Sequence, residues 1–194
     1  KIEVKVRASD KIYYDIFLEG NPVLENNVLS LTLRGETLGL NPVVRKIQKT
    51  QINEELHPVV PLKYATVANR CAEAFIQMKG NWGIRFRAYD DGVAYRFVLQ
   101  RKGEVEVLTE EMNLNVPDGF KTSYEEAYTH VACRDWKTEK RLATLPALFE
   151  TADSVHILIS EADLHDYPCL FFTGDKERGI TSAFPKVPLE FGED

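Results

Sequence analysis

Cysteine is scarce in this chain, and the three present, Cys71, Cys133 and Cys169, stand far apart with no CxxC spacing. A zinc site needs closer pairs of ligands, and a small disulfide scaffold is much denser in cysteine. The thiols therefore read as isolated fillers of apolar positions. No apolar run approaches the roughly 20 residues of a membrane-spanning helix. Lys and Arg form no cluster able to track a phosphate backbone, and the formal charge of −6 opposes a polyanionic partner. Neither nucleic acid nor membrane is expected as a partner. The eleven glycines are scattered at turns instead of forming a phosphate-binding loop, and there is no GxSxG elbow. The histidines, His57, His130, His156 and His165, show no metal-ligand spacing; only His165 has acidic neighbours.

What the chain does have is period-two alternation. Its 194 residues are 44% hydrophobic and 28% charged, enough for a core and a polar surface. Ile2, Val4 and Val6 point one way along a first strand, and Ile12, Tyr14, Ile16 and Leu18 along a second. A turn at Gly20-Asn21-Pro22 leads to a third strand carrying Leu29, Leu31 and Leu33. Three strands in about 35 residues is the rhythm of an antiparallel all-β domain. No repeat, low-complexity tract or linker divides the chain, so one domain over residues 1–194 is expected. Lys1 is not a start methionine and alternation begins at Ile2, which reads as a mature protein or an excised piece.

The clearest hairpin is WGIRFRAYDDGVAYRFVL, residues 82–99. Asp91-Gly92 signals a two-residue type I′ loop, with Asp90 and Val93 flanking it. That register pairs Phe86 with Phe97 and Ile84 with Leu99 on one face, and sets Arg87 opposite Arg96 on the other. Like charges there need a carboxylate between them, and a neighbouring strand is the expected source. Residues 36–63, broken by prolines and polar, are expected to form an irregular excursion with one strand near Val43–Ile47. Cys71–Met78 is expected as a strand in preference to a helix. Further strands are expected at Val105–Leu114, Pro146–Glu150, Ser154–Ser160, Cys169–Thr173 and Ile180–Phe184. Turns are expected at Pro117-Asp118-Gly119 and Gly174–Gly179, and Thr122–His130 reads as strand or loop.

Potential chemistry concentrates in SEADLHDYP, residues 160–168, behind the apolar strand VHILI. It carries Glu161, Asp163, Asp166 and His165. Continued strand alternation would put Glu161 and Asp163 on one side, about 7 Å apart. Such a pair suits calcium if other segments complete the shell, or sugar hydroxyls, or the acid and base of a glycosidase. The ordinary alternative is an acidic turn whose carboxylates cap loop amides. At Tyr124–Glu126, adjacency on a strand would send Glu125 and Glu126 to opposite sides, so they do not converge.

Three stretches in order, FRAYDDGVAYRF (86–97), TEEMNL (109–114) and LPALFETADSVHILISEADLHDYPCLFF (145–172), carry a resemblance. With SAFP at Ser182–Pro185, they closely resemble the N-terminal domain of glycoside hydrolase family 97, the α-glucosidase and α-galactosidase family of Bacteroides type. The resemblance implies an antiparallel β-supersandwich, similar to galactose mutarotase, with its last strands missing here. It implies a periplasmic or extracellular setting. It also implies a partner, a (β/α)₈ catalytic barrel of the same polypeptide acting on an α-linked oligosaccharide, with none of that barrel in these residues. The family's N-terminal domain supplies one calcium ligand from the segment matching ISEADL, which here is Glu161. Asp163 and Asp166 receive no role. A YNEL-like motif of the family is replaced by ANRCAEAF (68–75).

The function expected from the resemblance is thus that of an N-terminal domain packing on a catalytic barrel and lending a calcium ligand near its active site. No catalytic residue is expected in the chain, and alone it is expected not to hydrolyse glycosides. A second reading is a stand-alone carbohydrate-binding module with Trp82, Trp136 and Tyr167 as aromatic platforms. A third, a mutarotase-like epimerase, rests on fold analogy alone.

Overall fold

The computed structural model of the chain describes residues 1–61, 63–116, 121–127, 130–135, 142–151, 154–165, 167–175 and 179–184. Among the described residues every regular element is a β-strand, and the strand pairings described below are antiparallel. The all-β, antiparallel class expected from alternation is what the chain forms. The backbone divides into two compact units, residues 1–23 with 39–105, and residues 24–38 with 106–194.

In the first unit, β1 (Ile2–Ala8) pairs with β2 (Ile12–Leu18) so that Val4 faces Ile16 and Val6 faces Tyr14. The turn that follows is Glu19-Gly20, with φ of 52° and 83°. It lies one residue earlier than the proline suggested, because glycine takes a left-handed conformation without steric penalty. A second sheet runs in the order β5 (Val44–Leu56), β6 (Val67–Met78), β7 (Trp82–Ala88), β8 (Val93–Leu99). Its inner face buries Ile76, Met78, Trp82, Ile84 and Phe86. Tyr14, 2% exposed, sets its ring 6.0 Å from Phe86 and 6.5 Å from Tyr95. Aromatic pairs at such spacings tie the hairpin to the sheet.

The β7–β8 hairpin is present with a longer loop than its Asp-Gly suggested. Ala88 faces Val93, Phe86 faces Tyr95 and Ile84 faces Phe97. Tyr89 N–H donates to Gly92 O at 2.8 Å, closing a four-residue loop. Neither Asp91 nor Gly92 has the positive φ that a type I′ turn requires. The register therefore moves by two residues, and a shift of two keeps every side chain on its expected face. The facing arginines are Arg85 and Arg96, not Arg87 and Arg96. The expected carboxylate is Glu73 on β6. It accepts from Arg87 Nε at 2.7 Å, and Arg85 Nε stands 3.6 Å from its other oxygen.

Residues 44–56 form one 13-residue strand, which contains most of the strand expected near Val43–Ile47 and runs on to Leu56 through what was expected to be irregular. All but one of its residues are exposed, so no apolar alternation marks it. β7 covers β6 only from Ala72 to Met78. Beyond that point β5 and β6 form a two-stranded ribbon, from Ile52 opposite Cys71 to Leu56 opposite Val67. Backbone pairing, not burial, defines the strand there.

The second unit contains β3 (Asn21–Leu33) from Leu24 onward, hydrogen-bonded on one side to β4 (Glu36–Leu38) and paired with β9 (Val107–Asn113). Leu29, Leu31 and Leu33 are buried, as their alternation predicted. A four-stranded sheet follows in the order β11 (His130–Asp135), β10 (Lys121–Ala127), β12 (Ala147–Glu150), β13 (His156–Ile159). β11 had no counterpart in the sequence reading; β12 and β13 fall within expected strands, and β10 overlaps the span Thr122–His130 that reads as strand or loop. β14 (Phe171–Asp175) and β15 (Gly179–Ala183) form a hairpin. Isolated bridges join Leu114 to Ile180 and Ala143 to Phe172. Phe149, Phe172 and Ile180 are fully buried at the centre of this unit's core. Pro117-Asp118-Gly119 and residues 176–178 of the expected turn before β15 lie outside the described residues.

Candidate functional site

The acidic segment leaves β13 at Ile159 and does not continue as a strand. Asp163 adopts φ 59°, a left-handed conformation that aspartate tolerates better than most residues. Alternation therefore stops short of the segment, and the expected pairing of Glu161 with Asp163 on one strand face is not formed. Asp163 points to solvent, with His165 Nε2 3.2 Å from its Oδ1 and both side chains mostly exposed. Asp166 lies outside the described residues.

Glu161 behaves differently. Its Oε2 accepts the backbone N–H of Leu170 at 2.9 Å, so the side chain closes a loop of the chain upon itself. Leu170 is buried, at 6% exposure, and anchors the far end of that loop. Burial raises the Glu161 pKa above the usual glutamate range, the Leu170 N–H pulls it down, and the nearby Glu110 carboxylate raises it again. A carboxylate whose charge is opposed by burial and by a second carboxylate is a group that a cation would favour.

Glu110 comes from β9, where it shares a face with Met112 and stands opposite Leu31. It is 8% exposed. Its Oε2 accepts from the Tyr167 hydroxyl at 2.5 Å. Burial and then the Glu110 charge push the Tyr167 pKa well above the ordinary phenol value, so the hydroxyl keeps its proton to donate. The Tyr167 ring meets Phe184 edge-on, centroids 5.6 Å apart. Ser182 Oγ fixes the backbone of β9 here, donating to Glu110 O and accepting from Met112 N–H, each at 2.7 Å. Glu110 escaped the reading of the acidic segment because it lies some fifty residues upstream. Its signal was parity: a glutamate at a position whose strand neighbours are apolar.

For calcium, the local donors are hard oxygens of the right kind, one half-buried carboxylate with a second close enough to perturb it. Calcium takes roughly 6–8 oxygens, so this set fits as part of a coordination shell and not as the whole of it. Among the described residues no group of three His, Cys, Asp or Glu is arranged to hold a metal ion.

The remaining residues singled out in sequence occupy ordinary places. Trp82 is 5% exposed and packs against Phe97, ring centroids 6.2 Å apart, so it offers no face to a sugar. Tyr167 is half-buried with its hydroxyl engaged, and Trp136 lies outside the described residues. His57 and His156 are exposed. Cys71 is a buried free thiol and Cys169 an exposed one. The side chains of Glu125, Glu126, His130 and Cys133 are not among those described.

The family model described as "Glycosyl-hydrolase 97 N-terminal" matches residues 1–188. A retaining alpha-galactosidase of Bacteroides thetaiotaomicron is 28% identical over 217 aligned positions, which take in 100% of this chain and 32% of that protein. A glycoside hydrolase family 97 enzyme from Pseudoalteromonas sp. strain K8, solved in complex with acarbose, superposes with a TM-score of 0.81 at 20% identity. The match covers 94% of this chain and 30% of that one. A beta-arabinopyranosidase structure gives 0.82 at 19% identity, covering 97% and 34% respectively. These structures share the fold expected here. The chain spans about a third of the length of each relative.

Proposed function

Because this chain belongs to the family of glycoside hydrolase family 97 N-terminal domains, we propose that it serves as the non-catalytic domain of an α-glycosidase acting in the periplasm or outside the cell. In this reading residues 1–194 form one functional domain that packs on a catalytic barrel of the same polypeptide. The single observation that carries it is the family match across residues 1–188, joined to relatives about three times as long. The retaining galactosidase among those relatives supports an α-linked galactoside as substrate of the parent enzyme, with an α-linked glucoside as the other substrate proposed.

Glu161 is the residue this chain lends to the site. Its half-buried carboxylate, held at one oxygen by the Leu170 N–H, keeps its other lone pairs for a cation. A bound calcium would polarise the sugar site and help orient the sugar or the attacking water. The chain's own contribution is to hold that carboxylate in place and half-dry, so that its charge is not spent on solvent.

The test is a comparison of the purified chain with its parent polypeptide on nitrophenyl α-galactoside and α-glucoside. The chain alone is expected to show no hydrolysis above buffer. The parent is expected to hydrolyse one of them, to lose activity in chelator and to regain it with calcium. Hydrolysis by the isolated chain, or a parent indifferent to chelator, would contradict the reading.

A further inference from the structure

The loop from Ser160 to Leu170 is tied down at two points that no motif announces. At one, the Glu161 carboxylate accepts the N–H of buried Leu170 at 2.9 Å. At the other, the Tyr167 hydroxyl donates to Glu110 on β9 at 2.5 Å, with the Tyr167 ring edge-on to Phe184. Tyr167 lies between Glu161 and Leu170 in sequence, so its anchor fixes the very loop that the glutamate closes. Glu110 in turn is fixed by its strand and by Ser182, which takes up the Glu110 carbonyl. A rigid strand thus holds a phenol, the phenol holds a loop, and the loop holds a carboxylate.

We propose that Tyr167 and Glu110 are positioning residues for Glu161, clamping the Ser160–Leu170 loop to β9 so that the carboxylate stands ready for a cation. This rests on the reading of Glu161 as a calcium ligand. A carboxylate on a free loop would have to be ordered when the ion arrives, and that ordering weakens binding. Partners that orient a metal ligand matter for this reason, and their removal typically lowers metal affinity by about 10- to 100-fold.

The experiment uses the ¹⁵N-labelled chain and reads the Leu170 amide, whose exchange with solvent reports whether Glu161 is in place. Tyr167→Phe removes the hydroxyl and keeps the ring, Glu110→Ala removes the acceptor, and Glu110→Gln restores an acceptor without charge. Tyr167→Phe and Glu110→Ala are each expected to speed exchange at Leu170 by about tenfold. The Leu114 amide, bonded to Ile180 O, should stay protected. Glu110→Gln should return Leu170 to wild-type protection. Manganese ion at millimolar concentration, as a paramagnetic stand-in, is expected to broaden the Leu170 signal. Tyr167→Phe should need about tenfold more for the same effect. Wild-type protection at Leu170 in both Tyr167→Phe and Glu110→Ala would overturn the proposal. If manganese leaves Leu170 sharp in the wild type, or still broadens it in Glu161→Gln, the ligand reading fails instead. The clamp is then decided by the exchange rates alone.

Discussion

Glu73 on β6 is the only acid in contact with two arginines of β7, Arg85 and Arg87, among the ion pairs described, and its carboxylate is mostly buried. Arg87 takes the strong bond and its pKa is raised by it, while Arg85 Nε stays beyond hydrogen-bond reach and finds no partner atom. Removing the carboxylate leaves two half-buried cations on one sheet face. Glu73→Ala is accordingly expected to destabilise the chain by about 1–3 kcal/mol in urea unfolding. An opposite case is Arg34 with Glu106, a fully exposed pair bonded through two nitrogens. The Arg34 bond holds Glu106 below the usual glutamate pKa. What the pair contributes is present above the ordinary glutamate range and is lost as pH falls through that lowered value. Carboxyl-carbon NMR should show Glu106 titrating below free glutamate, and Arg34→Ala should move it back upward. The need for an acid beside the arginines was legible from parity; Glu73 itself was not, because pairing partners across strands are not written in local sequence. Within the acidic segment, only the family motif singled out Glu161. Glu110 and the Tyr167 bond required the fold, since Val107–Asn113 and the Ser160–Leu170 loop meet only in space.

At the scale of elements, strands with one buried face declared themselves and strands without one did not. β2, β3 and β7 show the alternation because each has buried positions, and β1 shows it more weakly, as half-buried against exposed positions. β5 is exposed along nearly its whole length, so composition made it look irregular although its backbone pairs without interruption from Lys46 to Leu56. The β7–β8 loop was misjudged in length because Asp-Gly also fits a four-residue turn, yet its faces were right because the shift was even. Beyond the ribbon, Val59 is 99% exposed and Val60 69%. Replacing both by serine is expected to change unfolding stability by no more than about 0.5 kcal/mol, as for exposed positions generally. Gly179 is the contrasting case at the start of β15. It has φ 77°, and a Cβ there would lie 2.5 Å from Leu114 O. Gly179→Ala is expected to lower stability on the order of 2 kcal/mol in the same measurement, through both strain and collision with the bridge to Leu114.

For the whole molecule, the account joins a family membership to one carboxylate. The match along residues 1–188 places the chain in its family, and Glu161, in the loop after β13, is the described carboxyl group whose pKa is raised. Glu161 is raised in pKa by burial first and by Glu110 second, and neither effect benefits the isolated fold. A residue kept in an unfavourable electrostatic position is understandable if it meets a cation supplied with ligands from elsewhere in the parent. The most direct test is a calorimetric calcium titration of the parent polypeptide in wild-type and Glu161→Ala forms. The account predicts one calcium site in the wild type, weakened at least about tenfold by the substitution, the loss expected when a ligand or its orienting partner is removed. Identical affinities in the two forms would contradict it.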